Sequence, residues 1–192
     1  DNLAVGGTAD FTAIVPFIST SNGADRALIG PDSGVAATFE FMQRSSNAVA
    51  NSLAFNRRGT NVSQGTTAVG LGSATTSFAT IKKELGGTYT LYRNGNQEDS
   101  DVSATAITAT NLSIGESGDA SFFIGSIPEV IVYNQALSNT DRQKVGSYIS
   151  LKYGITLDQT TPRDYLASDG VTEMWDKDAT GASTFNSDIF GI

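Results

Sequence analysis

The sequence contains no histidine and no cysteine. Without histidine the chain cannot build a Ser-His-Asp or Cys-His catalytic group, because both mechanisms use an imidazole as the base. Without cysteine it has no disulfide, no thiolate nucleophile and no cysteine zinc site. These two absences exclude thiol chemistry and the histidine-dependent hydrolase mechanisms.

Positive charge is also scarce. The chain has 12 Lys and Arg residues against 20 Asp and Glu, which gives a formal net charge of −8. A nucleic-acid backbone would be repelled, so we expect no nucleic-acid partner. No apolar run approaches the roughly 18 residues that a membrane-spanning helix needs, so we expect no membrane insertion. The low lysine content and many Ser, Thr and Asn residues favour an extracellular or cell-surface location.

Alternating apolar residues run through much of the 192-residue chain, which is long enough for one sizeable core. Phe11, Ala13, Val15 and Phe17 alternate with mostly polar residues, and this period of two is typical of a strand with one buried face. Further short strands follow, separated by turns rich in Gly, Asn and Ser. The sequence therefore predicts an all-β fold, an antiparallel β-sandwich. We expect residues 59–77 to be largely irregular, with at most a weak strand near residues 68–71.

One hairpin and one helix carry specific signals. Asn94-Gly95 tolerates the positive φ angles of a type I′ turn. Ser138 can cap a short α-helix near residues 139–153, with Asp141 completing a capping box and Gly154 ending the helix. We expect this helix to pack across one end or edge of the sandwich. The domain prediction is a sandwich over residues 1–160, followed by a strand-rich extension over 161–192. That extension either packs on the sandwich or is shared with a neighbouring unit.

Two stretches together resemble the laminin-G-like, or concanavalin A-like, jelly-roll family. They are the hairpin Tyr89–Gly95, and an "IG" strand at Ile114-Gly115 followed by the motif G-x-I-x-E-V-x-x-Y-N-x-A-L-S over residues 125–138. Pro128 departs from the usual pattern and indicates a strand edge or bulge there. Three later segments narrow the resemblance to a subtype found in large secreted or surface proteins of Bacteroidota-like bacteria. These segments are residues 141–157, 165–176 and 188–192. The resemblance is strong over residues 78–192 and implies a jelly-roll sandwich that continues beyond Ile192.

Glycosidases with this fold carry two neighbouring carboxylates on one strand, since one acts as nucleophile and the other as acid. The comparable strand here offers Glu129 alone, followed by Val130, Ile131 and Val132. We therefore expect a protein that is not an enzyme.

Candidate ligand contacts are few. Trp175 is the only tryptophan, and an aromatic ring can stack on the apolar face of a sugar, but its strand pattern favours a core position for Trp175. Tyr92 has the same ambiguity. The full set of candidate ligand-binding residues is Trp175, Tyr92, Asn94 and Asn96.

A candidate calcium site follows Trp175. Asp176, Asp178 and Thr180 place oxygen atoms at alternate positions before Gly181, and calcium favours such hard ligands around a tight turn. Position twelve of this loop is Ser187 rather than a bidentate glutamate. A calcium ion at Asp176, Asp178 and Thr180 is therefore one hypothesis, and a solvated acidic turn is the other. The resemblance also implies calcium on a loop rim.

Two functions remain open from the sequence. The first is a non-catalytic recognition or adhesion module of a bacterial surface protein, whose partner is a glycan or another cell-surface ligand. The second is a structural repeat or filament subunit, in which the apolar segment 189–192 pairs with a neighbouring domain or another copy of the protein. The same sandwich can serve either role.

Overall fold

The computed structural model describes residues 9–21, 23–32, 38–46, 48–57, 60–68, 76–104, 106–107, 111–118 and 121–179. Within these residues one α-helix, α1 (Asn139–Tyr153), accompanies a series of strands. The strands are β1 (Phe11–Ser19), β2 (Arg26–Pro31), β3 (Phe39–Arg44), β4 (Ser52–Arg57), β5 (Thr60–Ala68), β6 (Thr76–Lys83), β7 (Thr88–Arg93), β8 (Asn96–Val102), β9 (Leu112–Ile114), β10 (Gly125–Ser126), β11 (Ile131–Tyr133), β12 (Tyr165–Leu166) and β13 (Glu173–Trp175).

Two antiparallel sheets form the body of the protein. One has the strand order β10-β1-β6-β7-β8, with β11 also paired to β1, and the other has the order β5-β4-β3-β2-β9. A third, two-stranded sheet consists of β12 and β13. The predicted all-β antiparallel sandwich with a single helix is confirmed.

The main core lies between the two large sheets and is rich in phenylalanine. Alternate residues of β1, from Phe11 to Phe17, point into it and meet side chains of the opposite sheet. Phe55 of β4 stacks on Tyr89 of β7 with ring centroids 4.8 Å apart, so the two sheets contact directly through aromatic rings. The residues that the alternation predicted for the buried face of β1 are therefore the ones that point into the core.

A second core lies on the outer face of the β1-containing sheet, under α1. Ile14 of β1 and Phe78 of β6 point away from the main core and pack with Ile149, Leu157 and Tyr165. The helix thus covers a face of the sheet, and the expectation that it crosses an end or edge is wrong. The reason is that Ile14 and Phe78 make this outer face apolar, so it has to be covered.

Both predicted helix ends are confirmed. The backbone N–H of Asp141 donates to Ser138 Oγ over 3.1 Å, and Gly154 closes the helix with φ of 64°. That left-handed φ angle is one that glycine adopts without strain.

Strand β5 corrects the expectation of a largely irregular segment 59–77 over residues 60–68, whereas residues 69–75 lie outside the described part of the chain. It pairs with β4 with two shifts of register, at Ser52/Ala54 and Phe55/Asn56. These bulges interrupt the period of two, and the residues of β5 are mainly polar, so no apolar alternation announces the strand. Pro128 lies between β10 and β11, outside any ladder, which agrees with the predicted edge or bulge.

Candidate functional site

A polar pocket of about 370 Å³ lies where the turn between β7 and β8 meets the first half of α1. We call it the hairpin–helix pocket. It brings together two of the predicted ligand contacts, Tyr92 and Asn96, with residues that no sequence pattern identified. Its walls are formed by Tyr92, Gly95, Asn96, Gln97, Asn139, Arg142, Gln143, Gly146, Leu157 and Arg163.

The hairpin turn fixes one wall of this pocket. Asn94 and Gly95 have φ angles of 48° and 84°, which confirms the predicted type I′ turn. Asn94 Oδ1 accepts the N–H of Phe78 over 2.9 Å, and its carbonyl accepts the N–H of Asp158 over 2.8 Å. Asn94 therefore holds the turn against the sheet and the segment after α1, while Asn96 lines the pocket itself.

Arg142 forms the second wall and lies on Tyr92. Its guanidinium carbon is 3.7 Å from the centroid of the Tyr92 ring, in cation–π geometry, and its Nη2 donates to Asn139 Oδ1 over 2.7 Å. The Tyr92 side chain is buried. One face of this ring is thus occupied by the guanidinium, and Tyr92 serves as the platform that orients Arg142.

Arg163 is the second cation of the pocket. Its backbone N–H donates to Gln159 Oε1 over 2.9 Å, and Gln159 Nε2 donates back to the Arg163 carbonyl over 3.2 Å. Burial is the main cause that lowers the pKa of Arg142, and the charge of Arg163 acts in the same direction, opposed by Tyr92 and Glu84. Arginine nevertheless stays protonated in proteins, so the pocket carries two positive charges.

Trp175 does not line the hairpin–helix pocket. It lies on β13, packs against the second core and meets Tyr165 edge to face, with ring centroids 6.1 Å apart at 82°. The structure therefore places Trp175 among packed rings and apart from Tyr92, Asn94 and Asn96.

The acidic residues after Trp175 are divided between two groups. Asp176 lies with Asp164 and Glu173, and one carboxylate oxygen of each falls within 4.8 Å of the others. Asp178 instead directs its carboxylate to the ammonium of Lys177. Thr180 lies outside the described residues, so calcium binding by Asp176, Asp178 and Thr180 stays a prediction.

A larger, mainly apolar groove of about 830 Å³ runs along the other side of α1. Its floor includes Ile131, Leu137, Val145 and Leu166, with Lys144 among the charged residues that line it. Beyond this groove, Glu129 accepts hydrogen bonds from Tyr153 Oη over 3.0 Å and from Lys152 Nζ over 3.1 Å. Hydrogen bonds of the Lys152 ammonium with the Tyr148 hydroxyl, and then with Glu129 and Tyr153, raise the pKa of Lys152.

Comparison with known structures finds the same sandwich in bacterial proteins. The module CBM40 of the Ruminococcus gnavus IT-sialidase, bound to α2,3-sialyllactose, is 18% identical with a TM-score of 0.53, over 70% of this chain and 81% of that one. Domain 4 of AbnA, a GH43 extracellular arabinanase of Geobacillus stearothermophilus in complex with arabinotriose, is 13% identical with a TM-score of 0.52, over 71% and 66%. The NanB sialidase of Streptococcus pneumoniae is 20% identical with a TM-score of 0.54, over 70% and 23%.

Two families match the sequence itself. Residues 141–192 match a domain of unknown function, DUF8202, and residues 2–141 match the concanavalin A-like lectin/glucanases superfamily. No curated protein matches the sequence. Among the described residues, no helix has the length and apolar character to cross a membrane. Because the second match covers most of the chain, the protein belongs to the concanavalin A-like lectin/glucanase superfamily.

Proposed function

We propose that this protein is a non-catalytic, extracellular glycan-binding module of a bacterial surface protein. The observation that carries the proposal is the hairpin–helix pocket, whose polar lining of amides and guanidinium groups matches the hydrogen-bonding needs of sugar hydroxyls. Its volume of about 370 Å³ lies at the small end of the ~300–1,000 Å³ typical of ligand sites. Carbohydrate complexes of proteins with the same fold, with sialyllactose and arabinotriose, support it.

The surroundings of Glu129 support a non-catalytic role. Glycoside hydrolysis uses two carboxyl groups about 5–9.5 Å apart. In the described part of the chain, the hydrogen-bond partners of Glu129 are a lysine and tyrosines, which leave its carboxylate paired and immobilised. Such a carboxylate stabilises the junction between α1 and the segment before β11.

The first test is a broad glycan array, run with the intact chain in the presence and absence of calcium. We expect binding of at least one glycan class, and calcium dependence only if the predicted site at Asp176 and Asp178 is real. Absence of binding in both conditions would contradict the proposal. A calcium-induced rise in melting temperature would separately confirm metal binding.

The second test locates the site on any glycan that binds. Asn96→Ala removes one amide from the pocket and is expected to weaken binding about three- to tenfold, which corresponds to one hydrogen bond. Asn134→Ala is the matched control, because Asn134 is exposed in a turn and does not line the pocket. Equal affinities for the two variants would place the glycan elsewhere on the molecule.

A further inference from the structure

Arg142 and Arg163 differ from Arg44 and Arg93, each of which is paired with an acidic residue. Arg44 is paired with Asp25 at 3.1 Å and Arg93 with Glu98 at 3.0 Å. Within the described residues, neither Arg142 nor Arg163 has a carboxylate in salt-bridge contact, although acidic residues outnumber basic ones in the chain. Two guanidinium groups without a carboxylate partner among the described residues therefore line one small pocket.

Both guanidinium groups also have a donor without an acceptor. The Nε atoms of Arg142 and Arg163 are buried and have no hydrogen-bond partner. A buried N–H that loses water without gaining an acceptor costs free energy, and the cost is larger for a charged group. An anion that drew the two guanidinium groups into the pocket could supply the missing acceptors and recover this free energy.

The electrostatics of the pocket favour the same kind of ligand. The like charges of Arg142 and Arg163 oppose one another, and burial deprives Arg142 of solvent that would screen this repulsion. An anion between them would relieve the repulsion and complete both hydrogen-bond sets. Planar or tetrahedral oxyanions fit this role, because the guanidinium fork donates to two oxygens at once.

We propose that the hairpin–helix pocket selects saccharides that carry an oxyanion, a carboxylate or a sulfate, held between Arg142 and Arg163. The inference rests on the proposed glycan-binding function and narrows its ligand class. Asn96, Gln97 and Gln143 line the same pocket and are placed to contact the sugar ring that bears the anion. The protein as a whole, with its net charge of −8, would repel such a ligand, so this pocket is a local exception.

A matched series of ligands tests the inference. Galactose, galacturonate and galactose 6-sulfate differ only at C6, and their affinities can be measured by two-dimensional NMR titration of the intact chain. We expect one or both anionic sugars to bind at least about tenfold more tightly than galactose. The carboxylate and sulfate arms then show which oxyanion the pocket prefers.

Variants assign the preference to the pocket. Arg163→Gln should reduce the ratio of anionic to neutral affinity to about one, and Arg163→Lys should restore part of it. Lys144→Gln is the control, since it removes one positive charge from the groove side of α1 and should leave the ratio unchanged. Melting curves of all three variants verify that they are folded.

Each outcome is decisive. Equal binding of galactose and its anionic forms would overturn the anion selectivity and leave the glycan-binding proposal standing. A preference that survives Arg163→Gln would overturn the assigned site. If no sugar of the series binds while the array shows binding of neutral glycans, the anion inference fails alone, and an empty array removes the glycan-binding proposal as well.

Discussion

Asp169 closes the turn between β12 and β13 with its carboxylate. Its oxygens accept the N–H groups of Val171 over 2.9 Å and Thr172 over 2.8 Å, and the Thr172 hydroxyl over 2.6 Å. These hydrogen bonds, the Thr172 hydroxyl first among them, lower the pKa of Asp169 from 3.8 to about 2. The charged carboxylate is therefore the form that the turn stabilises.

Removal of the Thr172 hydroxyl should raise the pKa of Asp169. Because the pKa in the folded state is the lower one, its contribution to stability is complete above the unfolded value and is lost as the pH falls from 3.8 towards 2. We expect Thr172→Val to move the pKa of Asp169 upward in a carbonyl-detected NMR titration. Thr161→Val, at an exposed position, should leave it unchanged, and a wild-type pKa near 3.8 would contradict the expectation.

Part of the pocket could be predicted from single residues, and part could not. Tyr92 and Asn96 could be predicted from the sequence because they flank an Asn-Gly turn, which is a signal confined to a few adjacent residues. Arg142 and Arg163 lie far along the chain, and no spacing relates them to Tyr92. Their meeting depends on how α1 is seated on the sheet, which is a tertiary contact that local patterns do not encode.

Helix α1 depends on a single serine for its start. Ser138 Oγ accepts the N–H of Asp141 and donates to Asp141 Oδ2 over 2.7 Å, so the carboxylate holds the capping hydroxyl itself and not the backbone N–H that a full capping box uses. We expect Ser138→Ala to lower the free energy of unfolding by about 1 kcal/mol, measured in urea. Ser138→Asn, which keeps a capping acceptor, should retain most of the stability. An alanine variant as stable as the wild type would show that the Ser138 cap does not contribute to the free energy of unfolding.

Strand β11 has two apolar faces because a different layer of the structure covers each face. Val130 and Val132 pack on the main core, whereas Ile131 and Tyr133 pack on the second core beneath α1. In the sequence, Val130, Ile131 and Val132 are apolar on both faces, which by itself indicates a strand inside a sandwich. The structure shows instead an edge strand next to β1, buried on its outer face by the helix layer. The apolar pattern indicates that this segment is covered on both faces, and only the packing shows what covers each face.

The two cores share the central strands, so the molecule should unfold as one unit. Ile14 and Phe78 lie on the same strands as Val15 and Ala79 of the main core, and Tyr165 joins the second core from beyond residue 160. We therefore propose that the extension predicted for 161–192 is packed on the sandwich through its described part.

Ile149→Ala tests this coupling, because Ile149 is fully buried between α1 and the sheet. The cavity left by the shorter side chain should lower the free energy of unfolding by about 2–5 kcal/mol. The midpoint of the unfolding transition should move by the same amount in Trp175 fluorescence, which reports on β13, and in far-ultraviolet circular dichroism, which reports on the large sheets. Tyr148→Ala, at a half-exposed neighbouring position, should cost much less. Separate transitions for the two probes would show that the extension unfolds independently.

The hairpin–helix pocket lies across the junction of the two family matches. Tyr92 and Asn96 belong to the stretch that matches the lectin superfamily, while Arg142 and Arg163 belong to the stretch over 141–192. Neither stretch holds the complete pocket by itself. A sandwich of this superfamily joined to a different C-terminal segment would keep the aromatic platform and lose both cations, so under the proposed function we expect the choice of ligand to follow the identity of that segment.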